Sequence, residues 1–116
     1  MQIKISDLKE IIKNSPDDGK VFVHIKEYEV YEQYDVERIS SNPIHLNLDV
    51  RRNIGNTITI SEIREAINRY DEKSYIQFML IDPRFQISRG GAFDKAETDT
   101  EGNLHFYTYL QPSPVI

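Results

Sequence analysis

Residues 58–80, ITISEIREAINRYDEKSYIQFML, repeat without a gap the run at residues 3–25, IKISDLKEIIKNSPDDGKVFVHI. The offset is 55 positions (58 minus 3), and five of the 23 pairs are identical: Ile3/Ile58, Ile5/Ile60, Ser6/Ser61, Glu10/Glu65 and Ile12/Ile67. Seven more keep their chemistry, among them Asp7/Glu62, Lys9/Arg64, Asp17/Glu72 and Val21/Ile76. A shared pattern of apolar, capping and charged positions is the trace of a duplicated supersecondary unit. It points to an architecture and names no function.

Each copy opens with a short apolar alternation, Ile3-Lys4-Ile5 or Ile58-Thr59-Ile60, which reads as a strand. Ser6 and Ser61 then fit helix N-caps, their hydroxyls accepting an otherwise unpaired backbone N–H. Leu8, Ile11 and Ile12 form one apolar stripe at helical spacing, and Ile63, Ala66, Ile67 and Tyr70 form the other. Pro16 stops the first helix near Asn14. Val21, Val23 and Ile25 alternate with polar neighbours as a strand, and Tyr75 to Ile81 is its more hydrophobic counterpart.

Residues 26–35, KEYEVYEQYD, read as a polar, tyrosine-rich connection, followed by a short strand at Val36 to Ile39. Ile44, Leu46 and Leu48 alternate as a further strand, as do Leu104 to Leu110 at the far end. IHL around His45 and LHF around His105 stand at matching places 60 positions apart, five more than the helix offset. The expectation is α+β: two tandem β-α-β-β-β copies, about 1–52 and 53–116, forming a single domain over 1–116. They share a core as a pseudo-twofold two-layer sandwich, with two helices on one side of a mostly antiparallel sheet.

With 116 residues, 39% hydrophobic and 28% charged, the chain has the balance of a folded globular domain. Its net charge of −5 argues against a broad nucleic-acid or anionic-membrane footprint. Cysteine is absent, which removes disulfides, thiolate metal sites and thiol nucleophiles. The start MQIKISDLKE lacks the apolar stretch of a signal peptide, and no run approaches the ~20 apolar residues of a membrane helix. The reading is a cytoplasmic protein.

No phosphate loop, dinucleotide fingerprint, zinc-protease helix or nucleophile elbow is present, so the chain reads as a non-enzyme with no cofactor and no metal. His24, His45 and His105 lie opposite the apolar positions of their segments, where a solvent-facing strand histidine is the common case. Two of them meeting beside a carboxylate in a pocket would be the sign of acid–base chemistry. Glu97, Asp99, Glu101 and Gly102 have the spacing of the start of a calcium loop, but the twelfth position is Thr108 and an ordinary hairpin turn fits better.

Two surface candidates remain. Tyr28, Tyr31 and Tyr34, set among acids including Glu29 and Glu32, would give large amphipathic contact area suited to protein recognition. Arg84, Arg89, Gly90 and Gly91 could offer an anion nest in a hairpin loop, where solvated arginines are the plainer reading. The leading function is therefore a non-enzymatic interaction module, an adaptor or inhibitor whose partner is another protein or itself as a homodimer. The alternative is a module binding a small anion or nucleotide.

Ser6, Asp7, Leu8, Ile11, Pro16, Asp17, Val21 and Val23 give the opening segment a further likeness. It resembles the start of many small phage, prophage and mobile-element proteins, which run short strand, capped Leu-Ile helix, Pro-Asp turn and Val-rich strand. The likeness covers about 20 residues, and the second copy has Asp71-Glu72 in place of the Pro-Asp turn. It implies an accessory role, such as inhibition of host defence, and assigns no catalytic residue.

Overall fold

The computed structural model describes residues 2–40, 44–52, 54–82 and 87–109. In chain order the elements are α1 (Ile5–Ile11), β1 (Val21–Lys26), β2 (Tyr31–Ser40), β3 (Leu46–Arg51), α2 (Ile60–Ile67), β4 (Ile76–Asp82), β5 (Ile87–Ala92), β6 (Lys95–Thr98) and β7 (Leu104–Tyr109).

The seven strands form one mixed sheet in the order β5-β4-β3-β2-β1-β7-β6. The β1/β7 and β3/β4 pairings are parallel and the other four antiparallel, so the α+β class and the mostly antiparallel sheet are as expected. Apolar residues of both helices and all the central strands fall in a single core cluster. Phe78, Phe93 and Phe106 are the largest fully buried side chains or nearly so, at 2%, 0% and 0% exposure.

The sheet is rolled rather than flat. Its two outermost strands, β5 and β6, are consecutive pieces of one segment, separated only by Phe93 and Asp94. Ala92 pairs with Gln77 of β4 while its carbonyl accepts the Thr108 hydroxyl of β7 at 2.9 Å, and Asp94 N–H donates to Tyr107 O at 2.9 Å. The Phe93 ring lies 5.4 Å from Phe78 of β4 and 4.5 Å from Phe106 of β7. One bent segment thus joins both ends of the sheet and rolls it into a ring, with β5 and β6 as its edge strands.

β2 is built in the same way. Its first half pairs with β1 (Tyr31 to Asp35) and its second half with β3 (Asp35 to Ser40), with a register shift between Val36 and Arg38. Such a bulge bends a strand and lets it change partners. Two demands on one strand explain why residues 31–35 are strand and not connection, and why β2 is longer than the expected four residues. The four-residue β6 also falls where no strand was expected; it is too short to show periodicity.

Both helices begin earlier than the serines suggest. Lys4 and Thr59 are the N-cap residues, so Ser6 and Ser61 sit inside the first turn. Asp7 accepts the Lys4 N–H at 3.0 Å, and the Thr59 hydroxyl accepts the Glu62 N–H at 3.4 Å. Ile5 and Ile60, both fully buried, anchor these starts, and their N–H groups bond to Ser74 O and Gly19 O, each at 2.8 Å. The short strands expected before the helices shrink to single bridges, Lys4 to Tyr75 and Lys20 to Thr59. The first helix stops at Ile11, short of Asn14.

These contacts recur at one spacing. Ile76 N–H bonds to Ile3 O and Val21 N–H to Ile58 O, both at 3.0 Å; Ser6 N–H bonds to Glu72 O at 3.1 Å and Ser61 N–H to Asp17 O at 3.0 Å. Every partner in one bond lies 55 positions from its counterpart in the other (76 minus 21, 58 minus 3, 72 minus 17). The segment before each helix therefore bonds to the chain ahead of the other half's first strand.

The strand register corrects one expected correspondence. Leu46 pairs with Ile76 as Leu104 pairs with Val21, an offset of 58 (104 minus 46). His45 Nδ1 accepts the Tyr75 N–H at 3.3 Å, and the equivalent acceptor for Lys20 N–H is Asn103 Oδ1 at 2.9 Å. By register and bonding His45 therefore stands in the position of Asn103, not His105, at an offset of 58 rather than 60. Matching the letters IHL and LHF placed the histidine by identity, whereas the backbone bonds place it by position.

Candidate functional site

Strands β1 and β7 point Val21, Val23, Ile25, Leu104 and Phe106 into the core, which obliges Phe22, His24, Lys26, His105, Tyr107 and Tyr109 to face outward. Parallel register sets them side by side: Phe22 beside His105, His24 beside Tyr107, Lys26 beside Tyr109. On the other flank β2 places Asp35, Gln33 and Tyr31 against the same three β1 positions. The result is a continuous aromatic face.

Its rings touch in sequence. Phe22 stacks on His105 at 5.6 Å, His24 stacks on Tyr107 at 4.7 Å, and Tyr31 meets Tyr107 edge-on at 5.5 Å. Offset and edge-to-face pairs of this kind are each worth about 0.5–1.5 kcal/mol beyond the area they bury. Lys95 Nζ stands 4.6 Å over the Tyr107 ring, and Lys26 Nζ stands 5.7 Å from that of Tyr31. At the end of the face Tyr28 is 73% exposed, Val30 72% and Tyr109 53%.

A hydrogen-bonded chain runs through two of these rings. Asp99 Oδ2 lies 2.7 Å from His105 Nε2, and His105 Nδ1 lies 2.8 Å from His24 Nε2. Asp99 Oδ1 also accepts the N–H groups of Glu101 at 2.8 Å and Asn103 at 3.0 Å. The His105 bond, with these backbone bonds behind it, holds the Asp99 carboxyl down at about 2. An ionised Asp99 accepts only, so His105 Nε2–H is the donor, and the 2.8 Å contact between the histidines has room for one proton. Burial lowers the His24 pKa, the neighbouring His105 adds to this, and Glu97 opposes it. The Tyr107 hydroxyl is raised, first by burial and then by its bond to Glu97.

Two of the three histidines thus meet, with a carboxylate the sequence had assigned to a turn. The pairing was invisible in the sequence because it depends on β1 lying parallel to β7, residues 81 positions apart (105 minus 24). Glu97 ends β6 opposite His105, and the acidic residues after it form the hairpin turn from Asp99 to Asn103 between β6 and β7, closed by Asp99 and by Gly102 at φ 87°. The Asp99 carboxylate is bonded to that turn and to His105, as a hairpin needs. Among the described residues no group of three or more His, Cys, Asp or Glu is placed to hold a metal ion.

The tyrosine-acidic candidate divides. Tyr28, Glu29, Tyr31 and Glu32 are exposed on the β1–β2 hairpin and the start of β2, with Glu32 bonded to Arg52 at 3.1 Å. Tyr34 is a correction: it pairs with Val23 on the inward side and is only 9% exposed. Its hydroxyl reaches Glu32 at 3.4 Å, and its pKa is raised, mainly by burial. Strand alternation settles this once Tyr31 and Tyr34 share a strand, since an odd spacing puts them on opposite faces.

The anion candidate changes character. Gly90 and Gly91 belong to β5, paired with Met79 and Phe78, and form no loop. A Cβ at Gly90 would lie 2.5 Å from the Phe78 carbonyl oxygen, so close strand approach is the reason for this glycine. Arg84 and the side chain of Arg89 lie outside the described residues, as does the tail from Leu110 onward. No helix among the described residues is long and apolar enough to cross a membrane. No protein-family model, curated protein or solved structure matches the chain.

Proposed function

We propose that this chain is a non-enzymatic interaction protein that docks an extended, basic segment of a protein partner across the aromatic face of β7, β1 and β2. The observation that carries the reading is that Tyr107 and Tyr31 already hold ammonium groups, those of Lys95 and Lys26, against their rings. Exposed cation–π contacts contribute about 0.5–1 kcal/mol each, and a partner's arginines can replace or extend them. Asp35 and Glu97 stand opposite Phe22 and His105, Glu27 and Glu29 flank Tyr28 in the chain, and the net charge of −5 favours a basic partner over nucleic acid.

The Asp99–His105–His24 chain serves this face as a strut. It fixes the β6–β7 hairpin to β1. The two histidines and the carboxylate do meet, but His24 and His105 line neither the cavity at Asn47 and Asp49 nor the groove at Asp99 and Gly102, so a structural role is proposed for them. The recurrence of equivalent hydrogen bonds at a spacing of 55 supports a duplicated origin for the two halves of one domain. A cytoplasmic setting and an accessory role in a phage or mobile element belong to the same proposal, resting on the absence of cysteine and the likeness of the first helix.

The test is fluorescence anisotropy with two labelled peptides of equal length, one alternating Arg and Ala, the other Glu and Ala. The Arg peptide should bind better, and Tyr28→Ser, Tyr31→Ser and Tyr109→Ser combined should weaken it by about tenfold or more, as aromatic anchors do at interfaces. Equal binding of both peptides, or no effect of the combined change, contradicts the reading. Tyr34→Ser belongs outside this set, because it removes a core ring and lowers stability instead. A second copy of the chain is the other occupant the exposed Tyr28, Val30 and Tyr109 fit; light scattering showing a dimer that the same substitutions dissolve would favour it.

A further inference from the structure

Across β2, β3, β4 and β5 the outward positions form a surface arranged like the aromatic face but emptied of rings. Register aligns Ser40, Asn47, Gln77 and Ala92 in one row, and Arg38, Asp49, Met79 and Gly90 in the next. Gly90 stands against Met79 as Gln33 stands against His24, and Asn47 and Asp49 stand beside β4 as His105 and Tyr107 stand beside β1. Small residues at Ser40 and Gly90 leave a cavity of about 530 Å³ where the other face is filled.

The floor of that cavity is polar and nearly buried. Asn47 and Asp49 are each 9% exposed. Asn47 Nδ2 donates to Ser40 Oγ at 2.5 Å and to Asp49 Oδ1 at 3.1 Å, which uses both of its N–H groups. Arg38 Nε donates to Asp49 Oδ2 at 2.8 Å and balances its charge. What remains unspent is acceptor capacity, on Asn47 Oδ1 and the Asp49 carboxylate, beside the half-exposed thioether of Met79. Burying a carboxylate and a carboxamide costs stability unless each finds partners, so acceptors turned into a hollow have a use for donors.

We propose that this hollow binds a small, non-anionic ligand presenting adjacent hydrogen-bond donors, carried by hydroxyl or guanidinium groups. Asn47 and Asp49 receive the donors, Gln77 closes one end, and Met79 packs on the ligand's apolar side. A volume of about 530 Å³ lies within the range of small-molecule sites and suits a monosaccharide-sized guest. The site differs in place and chemistry from the aromatic face, and from an anion nest, whose ligand would bring acceptors to a surface already rich in them.

The test is an NMR titration of the full-length ¹⁵N-labelled chain, reading the side-chain amide signals of Asn47 and Gln77. Three probes separate the cases: galactose with hydroxyl donors, methylguanidinium with N–H donors, and pyrophosphate with acceptors only. Saturable shifts of both amides with galactose or methylguanidinium, and none with pyrophosphate, are expected; the donor probe that binds identifies the hydroxyl or guanidinium class. Gln77→Leu and, separately, Met79→Ala should each weaken the response several-fold while the remaining spectrum keeps its native dispersion. The proposal is overturned if neither donor probe gives saturable shifts, if pyrophosphate moves the same amides, or if both folded variants respond as the parent does.

Discussion

Single residues carry much of the arrangement, and adjacent glycines show how differently two of them do so. Gly90 faces a carbonyl at 2.5 Å, whereas a Cβ at Gly91 would meet only the Phe78 ring edge at an ordinary 3.6 Å. Gly90→Ala should therefore destabilise the chain by about 1–3 kcal/mol, the usual cost of overpacking. Gly91→Ala should stay within about 1 kcal/mol of the parent. Urea denaturation of both variants checks the contrast, and equal effects would remove it.

The histidine chain makes stability depend on pH. His24 resists protonation in the folded state, while the unfolded chain takes up its proton at the usual value of 6.5. The unfolded state then binds more protons as pH falls through 6.5, so stability is full above that value and declines below it. Asp99, held at about 2 against its usual 3.8, adds a second loss as pH falls between those values. Thermal melts of the parent and of His24→Gln between neutral and mildly acid pH should show a slope in the parent that is shallower in the variant. The alternation of polar and apolar residues made the outward direction of His24 and His105 readable in the sequence. Their contact was not, because strand order is a property of the closed ring.

At the scale of elements, what ties the helices down is also what the sequence half revealed. The pattern of residues 3–25 and 58–80 correctly located both helices and both following strands, because buried stripes impose periodicity. It misplaced the caps because two serines in favourable positions outweighed the backbone bonds that draw Ile5 and Ile60 into the first turn. One ion pair links each helix to the turn ahead of the other half's first strand, Lys9 to Glu72 at 3.4 Å and Arg64 to Asp17 at 3.2 Å. They are not equal in value. Arg64 also donates to the carbonyls of Ile12 at 3.3 Å and Ser15 at 2.7 Å, closing the end of α1, whereas Lys9 has only its exposed pair. Arg64→Ala should cost about 1–3 kcal/mol, as loss of charge-assisted bonds to carbonyls does. Lys9→Ala should cost less than about 1 kcal/mol, as exposed pairs do. Chemical denaturation of both variants measures the difference.

At the scale of the whole molecule, closure of the ring depends on Phe93, set between Phe78 and Phe106 where the chain passes from β5 to β6. Phe93→Ala should cost about 3–5 kcal/mol, within the range of large-to-small core changes. Hydrogen exchange should show protection lost first in β5 and β6 while β1, β2 and β3 keep theirs; uniform loss would argue that the closing segment is not a separate unit. The rolled sheet also explains the two outer faces. Pairing two long bent strands with two parallel pairs yields equivalent surfaces, one filled with rings and the other hollow. Composition could not show this, since it requires the register of every strand.

The aromatic face is the central claim, and the most direct measurement is an amide NMR map of the full chain titrated with the Arg-Ala peptide at low and raised salt. The account predicts saturable shifts at Phe22, His24, Tyr31, Tyr107 and Tyr109 that weaken as salt screens the acidic border. Shifts centred elsewhere, or none at low salt, would contradict it.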